Sequence, residues 1–544
     1  MRAIMTVLLA AALAGCDGIT ECGDDGAACA ELINTRAQAC AAAWQLKSID
    51  RKRKNCLAAI KTIKTQNVKA AVPGLMAILS TPESGVPGDR HREEAAKVLG
   101  RLGDAAAVAP LLAAIDLSAG TSSDPRDTQA NRSNEQIVTA LGHLKAKAAV
   151  PKLLEVVDRS ADDHVVLKAV RALGAIGDAQ AVDRLSKIAL QHDDKFMRKT
   201  AIIALGNIGD PGATDALIQM MFVEYRGVSF YREASFALFQ VGPAVAPALL
   251  ETMALKNEKV NEYFEKSGGI QASVIQAKCG FVLGDLRDQR AVAPLIEAFK
   301  AAAKRNDAIV LAYATTPLAV LGDKRAVALL TQQMTTLDAS LRDPMMRALV
   351  QLGAVEAVGK MMVTIPKAHF VEACIKTGAG KEACTSEQTQ ASLHGAQKAS
   401  IDHVTNLATD AHLNALNKIL VAMKDPIIKD YFSKRLKRVK VAAECKNDPA
   451  CWAQKLDDKE PLIRERAAWT LARLRDKSAA PALIKTLGDK NDKVRSAAIH
   501  AYWALGDKSA VPAIEKILED DRSALDYVKV NEDLKRLLLS LKRA

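Results

Sequence analysis

Aromatic side chains are scarce in this chain of 544 residues. Phe, Trp and Tyr make up 4% of it, whereas hydrophobic residues as a whole make up 49%. Small and aliphatic side chains, above all Ala and Leu, must therefore form the core. Such side chains favour closely packed helices.

Sequence signatures of catalysis are also missing. The chain contains no nucleophile elbow, phosphate-binding loop, dinucleotide fingerprint or metalloprotease helix. Its nine histidines are scattered, and no group of Cys or His residues has the spacing of zinc ligands. We therefore predict no catalytic residue, no metal site and no cofactor.

Near the N-terminus, the residues from Ile4 to Ala14 are almost wholly apolar and follow the positive Arg2. This run is typical of a signal peptide and is too short for a stable membrane span. The next residues complete Leu-Ala-Gly-Cys at 13–16, which resembles the lipobox of bacterial lipoproteins. The resemblance implies cleavage before Cys16 and diacylation of its thiol. An ordinary signal peptide with a chance cysteine is the alternative.

A lipobox implies that the protein is exported and lipid-anchored in a Gram-negative cell envelope. It would face the periplasm or the cell surface, and the inner and outer membranes both stay open. Export argues against nucleic acid as the partner, although the net charge is +12. Two dense basic runs lie at residues 51–54 and 434–438. In the second, Lys434, Arg435, Lys437 and Arg438 are candidates for binding an anionic polymer or lipid. A solvated helix face is the alternative.

The ten cysteines fit an oxidising compartment. Cys16 would take the lipid, and Cys279, in an apolar helical stretch, is predicted to be a buried free thiol. The disulfide candidates are the remaining eight, namely Cys22, Cys29, Cys40, Cys56, Cys374, Cys384, Cys445 and Cys451. Eight cysteines allow 105 pairings. Local geometry favours 22–29, 40–56 across a helical hairpin, 374–384 and 445–451.

A repeated unit dominates the rest of the chain. Residues 169–178 read Ala-Val-Arg-Ala-Leu-Gly-Ala-Ile-Gly-Asp, and residues 201–210 read Ala-Ile-Ile-Ala-Leu-Gly-Asn-Ile-Gly-Asp. Further copies end at Asp104, Asp476 and Asp507. Apolar residues at helical spacing form one face, Gly ends the helix, and Asp caps the turn before a second apolar helix. Each unit is therefore predicted to be a helix–turn–helix that buries its apolar faces only by stacking.

These copies resemble HEAT repeats, specifically the short bilin-lyase type found in bacterial proteins. The resemblance covers about residues 68–358 and 461–542 and implies an all-α fold, an α-solenoid or superhelix of HEAT-like helix pairs. Arg92, Arg198, Arg464 and Arg495 each lie twelve residues before a turn Asp. In HEAT arrays, such Arg residues form structural ladders with Asp residues of neighbouring repeats.

We divide the chain on this basis into six segments. A signal peptide covers 1–15, a lipidated tether 16–26 and a disulfide-bearing helical hairpin cap 27–66. A HEAT-repeat array covers 67–362, an irregular helical insert with cysteines 363–458, and C-terminal HEAT repeats 459–544.

The predicted function is that of a non-catalytic protein-binding scaffold or adaptor, because stacked helix pairs offer an extended surface. Two alternatives stay open, a binder of anionic envelope polymers or lipids and a lyase-like or enzyme-accessory protein. An aromatic cluster offers partner-binding candidates, since exposed aromatics often anchor interfaces. These candidates are Phe222, Tyr225, Phe230 and Tyr231, and the competing interpretation is that they fill the core beside a long loop.

Overall fold

A computed structural model describes residues 50–83, 90–266, 268–334, 412–520 and 528–543, together with Ala30 and scattered positions between 345 and 408. The described residues form 26 α-helices and one two-stranded antiparallel hairpin. The predicted all-α solenoid is confirmed, because within each unit described below consecutive helices pair and the pairs pack on their neighbours. The chain divides into two compact units, residues 1–245 and 246–544.

Unit 1 contains eleven described helices and the hairpin. They are α1 (Asp50–Gln66), α2 (Val72–Leu79), α3 (His91–Leu102), α4 (Val108–Ala113), α5 (Pro125–His143), α6 (Val150–Arg159), α7 (Asp163–Ile176), α8 (Val182–Gln191), α9 (Lys195–Ile208), α10 (Thr214–Met220), β1 (Glu224–Tyr225), β2 (Val228–Ser229) and α11 (Tyr231–Val241).

Unit 2 contains the other fifteen described helices. They are α12 (Ala246–Met253), α13 (Glu258–Lys266), α14 (Ala272–Asp285), α15 (Val292–Arg305), α16 (Ala308–Leu321), α17 (Arg325–Met334), α18 (Lys381–Thr385), α19 (Leu413–Ala422), α20 (Pro426–Cys445), α21 (Pro449–Lys455), α22 (Pro461–Leu474), α23 (Ala480–Thr486), α24 (Asp492–Leu505), α25 (Val511–Asp520) and α26 (Val528–Arg543).

The repeat turns after α7 and α9 are built as their sequence predicts. Gly177 and Gly209 follow α7 and α9 in the left-handed conformation, with φ of 77° and 72°. The next residue, Asp178 or Asp210, accepts a hydrogen bond from the amide two residues later, at 3.0 and 2.7 Å. A single 3-10 turn then leads into the second helix of the pair. We call the helices before these turns row 1 and those after them row 2.

In unit 1 the row 1 helices α3, α5, α7, α9 and α11 touch one another more extensively than the row 2 helices do. The first Gly of the repeated motif explains this close packing. A Cβ placed on Gly174 would lie 2.7 Å from the Cα of Ala204, and one on Gly206 would lie 2.8 Å from the Cα of Ala237. This Gly therefore permits helix contact, while the second Gly forms the turn.

The predicted ladder between an Arg of one repeat and the carboxylate of a neighbouring Asp is present at Arg464, whereas Arg92, Arg198 and Arg495 have other partners at the repeat boundaries. Arg464 donates to both carboxylate oxygens of Asp489 in the next repeat, at 2.7 and 2.9 Å. Arg495 donates to the Asp489 carbonyl at 2.5 Å and pairs with Asp492. Arg92 donates to the carbonyls of residues 79 and 114 at 2.9 and 3.0 Å. These guanidinium groups have structural partners, as the resemblance implies.

Within unit 2, the region before the C-terminal repeats has its own supports. Cys445 and Cys451 form a disulfide between α20 and α21, with Cα atoms 5.4 Å apart. Arg466 of α22 donates to the carbonyls of Thr405 and Ala408, which joins the repeats to the preceding segment. Trp452, fully buried, belongs to the core of the C-terminal repeats.

No single helix among the described residues is both long and apolar enough to cross a membrane. One bent pair, Tyr231–Val241 with Pro243–Met253, reaches the required length and apolarity only when its two members are added together.

Candidate functional site

The row 1 helices of unit 1 share a solvent-facing side. Its register follows from the close helix contacts, since Gly142, Gly174 and Gly206 each pack on an Ala of the next row 1 helix. Equivalent positions are therefore 32 residues apart from α5 to α7 and from α7 to α9. Between α9 and α11 the offset is 33, as the hydrogen bond from Gln240 to Asn207 shows, with a length of 3.1 Å.

Two large apolar side chains of α9 point to solvent on this face. Phe196 is 65% exposed and Ile203 is 44% exposed. They are seven residues apart, so they lie two turns apart on one side of the helix. Phe236 of α11 is partly exposed. By the offset of 33 residues, it occupies the position on α11 that is equivalent to Ile203 on α9. We call Phe196, Ile203 and Phe236 the apolar patch.

Basic side chains replace apolar ones at the matching positions of the neighbouring helices. Arg171 of α7 is level with Ile203, and His164 is level with Phe196. One helix further, Arg132 of α5 is level with His164. Lys168 lies one turn before Arg171 on the same face. We call Arg132, Lys168 and Arg171 the basic flank.

The charges of this face are only partly neutralised. Lys199 forms an ion pair with Glu233 at 2.6 Å. Among the described residues, no salt bridge involves Arg132, Lys168 or Arg171. A polar cleft of about 230 Å³ lies beside Arg132 between α3 and α5, and its lining residues are Arg90, Glu93, Arg132, Glu135 and Gln136. The basic flank therefore ends at a cleft of mixed charge.

The aromatic cluster of the sequence surrounds the β-hairpin between α10 and α11. Phe230 is completely buried, so it supports the hairpin from within. Phe222, Tyr225 and Tyr231 are each partly buried. The ring of Tyr225 stacks on Arg198, whose Cζ lies 4.2 Å from the ring centroid, and Arg226 stacks on the same ring at 5.1 Å. Tyr225 thus gives the ladder residue Arg198 a cation–π partner.

In the second basic run, residues 434–438, some side chains face solvent and others face the interior. Lys434 and Lys437 of α20 are exposed. Arg435 turns inward and donates to Asp402 at 2.9 Å and to the Tyr431 hydroxyl at 3.0 Å. Arg438 is buried 3.6 Å from the same carboxylate, and burial lowers the pKa of its guanidinium. Lys434 already pairs with Asp430 at 2.7 Å, so among the described residues Lys437 is the one member of the run's four candidates that is exposed and forms no salt bridge.

The structure describes a minority of the predicted cysteine sites. Cys445 and Cys451 are bonded to each other, and Cys384 is disulfide-bonded as well. Cys279 is a buried free thiol, and burial raises its pKa. Cys16, Cys22, Cys29, Cys40 and Cys374 lie outside the described residues, and Cys56 lies on α1 without a described side chain.

Sequence reasoning missed Phe196 and Ile203. A signal for them exists, because the equivalent positions one repeat earlier are His164 and Arg171, 32 residues away. An exposed polar position that becomes apolar in one repeat departs from what a purely structural repeat requires. In the part of the chain that the structure describes, no group of three or more potential ligands could hold a metal ion.

The fold and this face define an α-solenoid with an open helical surface. Comparison with family models identifies HEAT repeats at residues 130–194, 150–224 and 450–527. The model of the PBS lyase HEAT-like repeat matches residues 92–116 and 275–301. The chain therefore contains HEAT-like repeats in both units, and among curated proteins no relative matches it.

Several solved structures are similar to this chain at low identity. Human deoxyhypusine hydroxylase is 20% identical, with 54% of this chain and 99% of that chain covered and a TM-score of 0.22. Importin beta is 14% identical, with coverage of 94% and 75% and a TM-score of 0.34. A chain of a Kap95–Nup1 complex is 11% identical, with coverage of 94% and 77% and a TM-score of 0.44. Likenesses this distant say nothing about activity or partners.

Proposed function

We propose that this protein is a non-catalytic scaffold that binds another protein on the row 1 face of unit 1. The observation that supports the proposal is the apolar patch. A monomeric protein gains nothing by exposing a phenylalanine and an isoleucine side by side, because each would be more stable in contact with apolar atoms. A partner that covers them would bury this surface.

The close packing of row 1 makes the face suitable for this role. Gly174 and Gly206 hold α7, α9 and α11 in direct backbone contact, so the patch is carried by helices and not by loops. A surface held on packed helices loses little conformational entropy when a partner binds.

The location of the scaffold forms part of the same proposal. Export and diacylation of Cys16 would hold the protein on a membrane of the cell envelope, where its repeats would present a partner near the lipid surface. Binding of anionic polymers through the second basic run is less favoured, because Asp402 draws Arg435 and Arg438 inward.

A site-specific cross-link tests the binding surface. A photoreactive amino acid at Ile203, in cells that naturally produce the protein, is expected to capture a protein partner on illumination. The same group at Lys187, an exposed residue of the row 2 helix α8, is the matched control and should not capture it.

The captured protein is then identified, purified and titrated against the full chain. Replacing Phe196 and Ile203 together by Ala is expected to weaken binding about 30- to 1000-fold, since anchors at interface centres contribute on the order of 1–2 kcal/mol each. Equal capture at both positions, or unchanged affinity of the double variant, would refute the proposal.

A further inference from the structure

We infer that the partner presents an extended, acidic segment whose apolar residues cover the apolar patch and whose carboxylates meet the basic flank. The inference rests on the proposed function and adds the chemistry of the bound segment. It follows from the order of side chains across three neighbouring helices, α5, α7 and α9.

The side chains change character in one direction across the face. One set of equivalent positions on α5, α7 and α9 holds Arg132, His164 and Phe196, in that order. At the level two turns further along, Arg171 precedes Ile203. A ligand that crosses the helices therefore meets cations at one end and apolar surface at the other.

Charge complementarity selects an acidic ligand. In the described structure Arg132 and Arg171 are exposed and form no ion pair, whereas Lys199, beside the patch, is already paired with Glu233. Glu135 and Asp163 are the carboxylates nearest to the flank in sequence, and no salt bridge to the flank is present. A partner carboxylate gains an ion pair here without displacing an existing one, and a basic partner would be repelled.

The spacing of the helices sets the spacing of the motif. Packed helices lie about 8–10 Å apart. The axis of α7 is therefore about one such distance from the patch-bearing helix α9, and the axis of α5 is about twice that distance away. An extended chain advances about 3.3 Å per residue. The carboxylates should therefore lie about three and six residues from the apolar anchors.

A defined peptide makes this testable with the full chain. The probe is a fluorescein-labelled 14-residue synthetic peptide with a Leu-Phe pair and Glu residues three and six positions away, prepared in both chain directions. Fluorescence anisotropy at low salt is expected to show binding by at least one direction, and the affinity should fall as salt is raised. Peptides with Gln in place of Glu, or Ser in place of Leu-Phe, should bind at least tenfold more weakly.

Charge reversal on the protein tests the contact between the basic flank and the carboxylates of the peptide more directly. The variant Lys168→Glu with Arg171→Glu is expected to bind the Glu peptide at least tenfold more weakly than the wild-type chain does. It should also prefer a peptide in which Lys replaces Glu. The matched control, Lys147→Glu with Lys187→Glu, changes the net charge equally at exposed residues away from row 1 and should bind like the wild type.

The outcomes separate this inference from the proposed function. If the natural partner is lost from Phe196→Ala with Ile203→Ala but binds the charge-reversed variant normally, the acidic segment is refuted and the scaffold stands. If the Gln peptide binds as well as the Glu peptide, the inference also fails. If neither pair of substitutions affects the natural partner, both are refuted. Loss of the natural partner from both variants, with binding of the Lys peptide by the charge-reversed variant, establishes the acidic segment.

Discussion

At the scale of single residues, the arginines of the repeats find different partners for one structural task. Arg464 uses the carboxylate of Asp489, while Arg198 uses the face of Tyr225 and the carbonyl of His192 at 2.5 Å. An aromatic ring attracts a guanidinium by its quadrupole and carries no charge itself. The hairpin can therefore replace an aspartate at this boundary of the array.

Asp489 makes the ladder of the C-terminal repeats dependent on pH. Burial alone would raise the pKa of its carboxyl group, but hydrogen bonds from Arg464 and from the amide of Asn491, the latter of 2.8 Å, outweigh burial and leave the pKa lowered. The folded chain thus binds this proton less readily than the unfolded chain. The pair stabilises the fold above the usual carboxyl pKa of about 4, and this contribution is lost as pH falls through the lowered pKa.

We expect Asp489→Asn to unfold at a lower temperature than the wild type at pH 7, by an amount equivalent to about 1–3 kcal/mol for lost charged hydrogen bonds. The difference between the two melting temperatures should begin to shrink below about pH 4, where the unfolded wild-type chain takes up the proton, and shrink further as pH falls through the lowered pKa of the folded chain. Thermal unfolding followed by circular dichroism from pH 3 to 7 measures it. A difference that stays constant over this range would contradict the role of the carboxylate.

At the scale of elements, the two glycines of one motif do different work. Gly177 provides the left-handed turn, whereas Gly174 lies inside α7 and provides room for α9. Helix propensity alone would favour Ala at position 174 by about 1 kcal/mol. The retained Gly indicates that close contact between row 1 helices outweighs that preference.

Gly174→Ala is therefore expected to destabilise the protein although it improves helix propensity. The new Cβ would lie 2.7 Å from the Cα and 2.8 Å from the Cβ of Ala204, and such overpacking costs about 1–3 kcal/mol. The free energy of unfolding from urea titration should fall, and adding Ala204→Gly should restore part of it. Equal or greater stability of the single variant would show that the helices separate freely.

The repeats could be predicted from the sequence because their signals are local. A helix face, a Gly and a capping Asp occupy ten consecutive residues, and this ten-residue pattern recurs along the chain. The apolar patch could not be assigned this way, because Phe196 and Ile203 read as ordinary core residues until the register of α7, α9 and α11 shows which side faces solvent. The inward turn of Arg435 and Arg438 was equally hidden, since Asp402 lies more than thirty residues away in a segment without the repeat.

At the scale of the whole molecule, a row of helix pairs separates stability from binding. Each pair is stabilised by its neighbours, so exposed positions of row 1 vary without loss of the fold. Positions 164 and 196 illustrate this, with His in one repeat and Phe in the next on the same backbone. The binding surface thus consists of side chains that do not contribute to the core.

The proposed lipid anchor at Cys16 determines where the whole protein resides. Two acyl chains on one residue suffice for stable membrane attachment, whereas one chain gives only marginal binding. We expect Cys16→Ala to move the protein from the membrane pellet to the soluble fraction after cell fractionation, and to abolish incorporation of labelled palmitate. Cys279→Ala, at the buried free thiol, is the control and should stay in the pellet. A Cys16→Ala protein that remains in the membrane fraction would show that another part of the chain holds it there.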